Sequence, residues 1–111
     1  MNCNIIYTKR FEKSLKRLAK HYKSLKVDLE KFVYMLRENP LQGADLGGGA
    51  RKVRMSITSK GKGKSGGARV ITFLLLQEKD ATHIALLDIY DKSERETITD
   101  KELKSLLQEF E

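Results

Sequence analysis

Residues 51–57 read RKVRMSI, and this stretch decides the fold class because its side chains alternate in character. Val53, Met55 and Ile57 fall on one side of an extended chain, whereas Lys52 and Arg54 fall on the other. A period of two predicts a strand with one apolar face and one face that carries two cations two residues apart.

Two further strands are predicted downstream. Residues 69–77 form an apolar run that is typical of a central strand, and residues 83–90 form another after the polar connection 78–82. Residues 60–67 are rich in Gly and Lys and are expected to form a flexible hairpin loop. Three strands joined by short connections predict an antiparallel meander.

Alternation along the third strand bears on the role of Tyr90. It predicts that Tyr90 shares a face with Asp88, Leu86 and Ile84. A packed structural tyrosine is therefore as well supported as a functional one.

The pattern upstream of the strands is helical. Thr8 is a suitable N-cap, and Asn39-Pro40 ends the helical pattern. A break at residues 21–24, with Ser24 as a second N-cap, favours a helical hairpin over one coiled-coil-like rod. Between these limits apolar residues recur every three or four positions, at Phe11, Leu15, Leu18, Tyr22, Leu25, Leu29, Phe32 and Leu36.

The two remaining segments complete the predicted fold. Residues 41–50, which contain four glycines, are expected to be a flexible connector. Thr99 and Glu102 form a capping box, and Ile98 and Leu103 sit at the positions of a hydrophobic staple, so a C-terminal helix is predicted. Residues 1–111 are therefore expected to be a single α+β domain in which an N-terminal helical hairpin packs on an antiparallel, curved β-sheet, with a C-terminal helix.

Composition points to an anionic partner. The 111 residues include 22 Lys and Arg against 15 Asp and Glu, giving a net charge of +7 and a pI near 9.6. Nucleic acid, an acidic protein and a membrane surface all fit such a charge. The positive charge is concentrated in residues 51–69, which contain seven Lys or Arg and no acidic residue.

The location is predicted from cysteine usage and hydropathy. Cys3 is the single cysteine, and the first residues lack the pattern of a secretory signal, so a reducing, cytoplasmic setting is expected. The longest apolar run, residues 70–76, is far below the roughly 20 residues that span a bilayer, so no membrane association is expected.

Several enzyme classes are disfavoured by spacing. Residues 61–65 read GKGKS, but a phosphate-binding loop requires a glycine where this chain has Thr58, and a helix where a strand is predicted. No nucleophile elbow for a serine or cysteine triad is present.

No metal site is expected either. His21, His83 and Cys3 are far apart in the sequence. Glu102-Leu103-Lys104 resembles part of a metal-nuclease signature but lies in the capped helix. A two-metal nuclease would hold Mg²⁺ through Asp88, Asp91, Glu94 and Glu96, but acids beside a helix start are usually capping or surface residues.

A cluster of cations is the remaining candidate site. Lys52 and Arg54 project from one predicted strand, Arg69 opens the next, and Tyr90 and Lys92 lie where the last strand ends. If the strands are neighbours, these groups converge on one end of the sheet. From the residues alone, a catalytic site, a binding surface and ordinary solubilising charge all stay open.

The order of these segments resembles the RelE/HigB family of type II toxin–antitoxin toxins. The resemblance spans nearly the whole chain and implies a small, metal-independent ribonuclease that cuts messenger RNA in the ribosomal A site and inhibits translation. It also implies a cognate antitoxin, which in this family often carries a helix-turn-helix. After the helical pair, the segments that carry the resemblance are Arg51-Lys52-Val53-Arg54-Met55, Ser65-Gly66-Gly67-Ala68-Arg69-Val70-Ile71 and Leu87-Asp88-Ile89-Tyr90-Asp91-Lys92-Ser93-Glu94.

The resemblance also implies site residues. Lys52 and Arg54 match the paired basic positions of one family strand, Arg69 matches the arginine that opens the next, and Lys92 lies near a later basic position. We hypothesise that Lys52 is the base, since crowding by these cations is expected to favour its neutral form. Arg54 and Arg69 would bind the phosphate, and Lys92 would be the acid or a further phosphate-binding residue.

RNA contacts are expected from the glycine-rich loop and the end of the last strand. These are Lys60, Lys62, Lys64 and Tyr90. The family's terminal tyrosine would fall near Thr97 or Ile98 and is absent here.

Two alternatives stay open on the sequence. One is a ParE-type toxin, which shares the fold and binds DNA gyrase without enzymatic activity, although such proteins generally lack the strand-borne cations. The other is an RNA- or ribosome-binding module whose active site has decayed, an alternative that rests on the missing tyrosine.

Overall fold

A computed structural model describes residues 2–61, 63–95 and 97–110, with residues 64 and 65 described through their backbone alone. It is an α+β fold, as predicted. A 3₁₀ turn spans Thr58–Lys60. The elements in chain order are β1 (Asn2–Tyr7), α1 (Lys9–Ala19), α2 (Leu25–Glu38), β2 (Ala44–Gly47), β3 (Ala50–Met55), α3 (Gly63–Gly66), β4 (Ala68–Gln77), β5 (Ala81–Asp91) and α4 (Asp100–Phe110).

The five strands form one sheet in the order β1-β5-β4-β3-β2. Strands β2 to β5 are antiparallel, which confirms the predicted meander, but β1 runs parallel to β5. The expectation of a purely antiparallel sheet is therefore wrong at this edge. The partners Asn2 and Ala81 are too distant in sequence for a local pattern to reveal their pairing.

Helices cover both faces of the sheet, so it has two apolar clusters. The first lies under α1 and α2 and includes Phe11, Leu18, Leu25, Phe32, Leu36, Val53, Met55, Ile57, Val70, Ile84, Leu86 and Ile89. The second lies under α4 and consists of Ala50, Ile71, Ala85, Leu87, Tyr90, Ile98, Leu103 and Leu106. Burial on both faces explains why β4 and β5 read as nearly continuous apolar runs.

The predicted helical hairpin is confirmed. The Thr8 hydroxyl caps α1 by accepting a hydrogen bond from the Phe11 N–H at 3.1 Å. Ser24 occupies the N-cap position of α2 but makes no capping hydrogen bond; its hydroxyl donates to the Asp28 carboxylate at 2.7 Å instead. Helix α2 ends at Glu38, before Asn39-Pro40, as expected.

Two segments expected to be flexible contain regular structure among their described residues. Residues 41–50 contain the edge strand β2, which forms a hairpin with β3, because Gly47, Gly48 and Gly49 adopt the positive φ angles that the turn needs. Residues 60–67 contain the end of the 3₁₀ turn and α3. The Asp28 carboxylate holds this region by accepting a hydrogen bond from the Thr58 N–H at 2.9 Å.

An irregularity in β5 changes which side chains share a face. Thr72 pairs with Leu86 but Ile71 pairs with Asp88, so Leu87 is an extra residue. Leu86 consequently packs under the helical hairpin, whereas Tyr90 packs under α4. The prediction that Tyr90 shares a face with Leu86 and Ile84 is wrong, because simple alternation does not anticipate a bulge.

The capping box of α4 is confirmed. The Thr99 N–H donates to the Glu102 carboxylate at 3.1 Å, and the Glu102 N–H donates to the Thr99 hydroxyl at 3.1 Å. Ile98 and Leu103 are both buried in the cluster under α4, as a hydrophobic staple requires.

Thr8→Ala is expected to lower the free energy of unfolding by about 2 kcal/mol. The substitution removes the cap of α1 together with the hydrogen bond that the hydroxyl donates to the Leu86 carbonyl at 2.8 Å. Urea denaturation measures the loss. Thr8→Ser keeps the hydroxyl and is expected to stay within about 0.5 kcal/mol of the original protein; equal losses in both variants would contradict the role assigned to the hydroxyl.

Candidate active site

Pairing across three strands brings the predicted cations onto one face of the sheet. Arg54 pairs with Arg69, Arg69 pairs with Tyr90, and Lys52 pairs with Ile71. Ile71 belongs to the cluster under α4, and directly paired residues share a face. Lys52, Arg54 and Arg69 therefore all lie on the α4 face.

One open cavity of about 510 Å³ gathers all four side chains predicted to be catalytic. Among the described residues that line this cavity, four are cationic and none is acidic. The remaining lining residues come from β3 and from the segment that leads into β2. The cationic residues are Lys52, Arg54, Arg69 and Lys92, and the others are Gln42, Gly43, Ala44 and Val53.

Arg69 is the most firmly held of the four. Its side chain is buried, with only 5% of the residue exposed, and its Nη1 donates to the Ala68 carbonyl at 3.1 Å. Burial lowers the pKa of Arg69, and the charge of Arg54 lowers it further. Both guanidinium groups nevertheless stay charged at physiological pH. The positive charges of Arg54 and Arg69 therefore lie close together, which suits the binding of an anion.

The segment before α4 reaches the same site. The Lys52 Nζ donates to the Thr97 hydroxyl at 3.2 Å, and Thr97 is exposed. Ile98 is buried in the cluster under α4. Of the two positions where the resemblance would put a tyrosine, only Thr97 therefore presents a polar group to the cavity side.

Tyr90 is packed rather than presented to solvent. It is 4% exposed, and its hydroxyl is buried without a hydrogen-bond partner among the residues that the structure describes. Arg95 covers its ring, with the guanidinium carbon 5.2 Å from the ring centroid, and is itself bound to Glu102 at 2.8 Å. Burial raises the pKa of Tyr90. Tyr90 also lines a cavity along α1, and the RNA contact expected from it stays a prediction.

Lys60 is the one lysine of the glycine-rich segment whose side chain the structure describes, and it does not line the cavity. The Lys60 side chain is 8% exposed and forms a 2.7 Å ion pair with Asp91, whose side chain is 1% exposed. Lys60 therefore makes a structural contact with Asp91, and the RNA contact expected from the sequence stays a prediction. Lys62 and the side chain of Lys64 lie outside the described residues.

A second cavity, of about 800 Å³, lies along α1. Two acidic residues partly neutralise its charge: Arg10 lies 3.8 Å from Asp88, and Arg17 lies 3.6 Å from Glu94. The helical spacing of basic residues in α1 is the sequence signal for this surface. Its cationic lining residues are Arg10, Lys13, Lys16, Arg17, Lys20 and Arg95.

The sequence did not predict that the start of β2 and the two residues before it line the first cavity. Gly43 has a φ of +97°, and a Cβ there would lie 2.5 Å from the Lys52 carbonyl oxygen. This close approach lets Gln42, Gly43 and Ala44 line the cavity beside Lys52. An isolated glycine in a polar segment was the single available signal, and it fits a loop equally well.

A metal site requires a group of ligand side chains, and a helix that crosses a membrane must be long and apolar. Across the described part of the chain, no three His, Cys, Asp or Glu side chains are grouped closely enough to hold a metal ion. Within the same residues no helix is long and apolar enough to cross a membrane.

Comparison with known families identifies the family of this chain. A family model described as the RelE toxin of the RelE/RelB toxin–antitoxin system matches residues 5–109, which is almost the entire chain. This chain belongs to the RelE toxin family. Membership makes the protein a toxin of a toxin–antitoxin system and implies an antitoxin as its partner. The resemblance that the strand segments indicated is thereby confirmed.

Gly43→Ala is expected to destabilise this RelE-family toxin more than Gly47→Ala. Both glycines have strongly positive φ angles, +97° and +89°, so both substitutions carry a backbone cost of about 1 kcal/mol. A Cβ at Gly47 meets nothing within 4 Å, whereas one at Gly43 collides with the Lys52 backbone, which adds roughly 2 kcal/mol. Chemical denaturation of both variants measures the difference, and equal losses would contradict the close approach.

Acid is expected to weaken the contribution of Asp91. Burial alone would raise the pKa of its carboxyl, but hydrogen bonds from Lys60, Tyr22 and Ser93 outweigh burial and hold the pKa well below its ordinary value. The charged carboxylate therefore stabilises the fold above about pH 4, and this contribution is lost as the pH falls towards the depressed folded-state pKa.

The loss is expected to be on the order of 2 kcal/mol and to be absent from Asp91→Asn. Unfolding free energies at pH 7 and pH 2.5 test this expectation. Asp91→Asn is expected to be less stable than the original protein at pH 7 and to show a flatter dependence on pH. Identical slopes for the two proteins would count against the expectation.

Proposed function

We propose that this RelE-family toxin is an endoribonuclease that cuts messenger RNA on the ribosome and so inhibits translation. The observation that carries the proposal is the cavity in which Lys52, Arg54, Arg69 and Lys92 come together. Its four cations suit the phosphodiester that would be cut, because the transition state gathers negative charge on the phosphoryl oxygens.

The proposed reaction uses a hydroxyl group of the substrate as its nucleophile. The ribose 2′-oxygen loses a proton to a base and attacks the adjacent phosphorus, and the bond from phosphorus to the 5′-oxygen of the next nucleotide breaks. The leaving oxygen takes a proton from an acid. The products are a 2′,3′-cyclic phosphate, or its hydrolysed form, and a 5′-hydroxyl, and no metal takes part in the proposed step.

The placement of each side chain supports a role in this reaction. Lys52 is the proposed base, and its amine is held beside the cavity by Thr97. Arg69 and Arg54 are the proposed phosphate-binding pair, since Arg69 is fixed by burial and Arg54 is exposed directly opposite it. Lys92 is the proposed acid or a further phosphate-binding residue.

Selectivity for RNA follows from the same chemistry, because DNA lacks the attacking hydroxyl. The exposed cations of α1 supply a second surface that fits the phosphate backbone of ribosomal RNA. Action on the ribosome places the protein in the cytoplasm. The antitoxin, for which we propose a helix-turn-helix, would inhibit the toxin by covering its basic face or displacing α4.

Lys52→Ala is expected to lower the cleavage rate at least about 100-fold, since general-base catalysis contributes about 10²- to 10⁴-fold. Arg69→Ala is expected to lose activity to a similar degree. Primer extension on messenger RNA after brief expression locates the breaks, and analysis of the RNA ends tests for the cyclic phosphate and the 5′-hydroxyl. A 2′-deoxynucleotide at the cleaved position is expected to block the reaction.

Lys79→Ala is the matched control, because Lys79 is an exposed lysine in the turn at the opposite end of β4 from Arg69. It is expected to arrest growth and cut RNA within about twofold of the original protein. Growth arrest by Lys52→Ala that equals the original would overturn the assignment of the base. Intact messenger RNA with induced DNA damage would indicate a ParE-type gyrase poison instead, and ribosome binding without cleavage would indicate a decayed site.

A further inference from the structure

The side chain of Asp91 is the centre of a buried polar cluster at the end of β5. Its carboxylate accepts hydrogen bonds from the Lys60 Nζ at 2.7 Å, the Ser93 N–H at 2.9 Å and the Ser93 hydroxyl at 2.8 Å. The Tyr22 hydroxyl donates to its other oxygen. The donors come from the turn after α1, from the 3₁₀ turn and from the loop after β5, so this one carboxylate ties three separate segments together.

Lys92 follows Asp91 directly and projects to the opposite face of the sheet. Asp91 points towards Tyr22 and Lys60, on the side of the helical hairpin, whereas Lys92 lines the cavity with Arg54 and Arg69. The Lys92 N–H also donates to the Gly67 carbonyl at 3.0 Å. The backbone that carries Lys92 is thus held by the carboxylate cluster on one side and by Gly67 on the other.

A second buried carboxylate provides a comparison. Asp28 is 4% exposed and accepts hydrogen bonds from the Thr58 N–H, the Thr58 hydroxyl and the Ser24 hydroxyl at 2.9, 2.5 and 2.7 Å. Its burial and number of donors resemble those of Asp91. Asp28 lines a separate cavity, which it shares with Arg54, but no residue of the cationic cavity adjoins it in the chain, so it does not hold the backbone that carries Lys92.

We propose that Asp91 is a positioning residue, which uses Lys60, Tyr22 and Ser93 to fix the backbone that aims Lys92 into the cationic cavity. This inference rests on the proposed function for its effect on catalysis. Its structural part, the immobilisation of Lys92, is independent of any activity. Asp91 itself does not line the cavity, so it acts through Lys92.

The structural part is tested by hydrogen exchange of the Lys92 amide, measured by NMR in the full chain. Asp91→Asn is expected to speed exchange at Lys92 at least tenfold relative to Val70 in the central strand. Asp28→Asn, the matched control, is expected to leave the ratio of the two rates unchanged. If Lys92 exchanges equally fast in the original protein and in Asp91→Asn, the inference is overturned, whatever the activity.

The catalytic part is tested by a double-mutant cycle with Lys92→Ala on ribosome-bound messenger RNA. Asp91→Asn is expected to lower kcat at least tenfold with KM within about threefold, and to have no further effect in the Lys92→Ala background. Asp28→Asn is expected to keep kcat within about twofold. If Asp91→Asn lowers kcat equally in the original protein and in the Lys92→Ala variant, Asp91 only stabilises the fold, and the inference is overturned.

Two further outcomes separate the inference from the proposed function. If the original protein cuts no messenger RNA, the proposed function fails, and the exchange experiment still decides whether Asp91 immobilises Lys92. Tyr22→Phe covers the case in which Asp91→Asn does not fold, because it removes one donor and keeps the ion pair with Lys60. It is expected to raise exchange at Lys92 about threefold, and no change at all would count against the proposal.

Discussion

The site depends on the pairing register of β4 with its two neighbours. Arg69 lies between Arg54 and Tyr90, and the same register puts Lys52 opposite Ile71. A slip of one residue would turn the cations towards the helical hairpin, because neighbouring residues of a strand point to opposite faces. Gly67 helps to set this register, since a Cβ there would lie 2.2 Å from the Met55 carbonyl oxygen and no larger residue fits the approach.

Burial divides the lysines of this basic chain into two kinds. Lys60 is buried and forms an ion pair with Asp91, which stabilises the contact between the 3₁₀ turn and the end of β5. Lys52 and Lys92 instead line the open cavity that also contains Arg54 and Arg69. The two kinds are linked, because Asp91 holds Lys60 on one face of the sheet while the next residue in the chain faces the cavity on the other.

Much of the fold was predictable from the sequence, and so were the four cationic residues among the eight that line the candidate site. The spacing in α1 and α2, the capping box of α4 and the alternation in β3 are local patterns, and each predicted its element correctly. The four residues proposed to be catalytic were also found from strand-borne charge together with the family resemblance. The parallel pairing of β1, the edge strand β2 and the extra residue Leu87 in β5 were not predicted, because each depends on partners far away in the chain.

The sequence by itself determined the types of α1, α2, β3, β4, β5 and α4, the basic character and the membership in a toxin family, since these reside in periodicity, composition and the order of segments. The tertiary structure alone decided which cations meet. Lys60 and Lys52 look alike in a sequence, yet one meets a buried carboxylate and the other meets Thr97 beside a cavity. The physical reason is that the cost of burying a charge, and the partner that offsets this cost, are set by neighbours that the fold brings from other strands and turns.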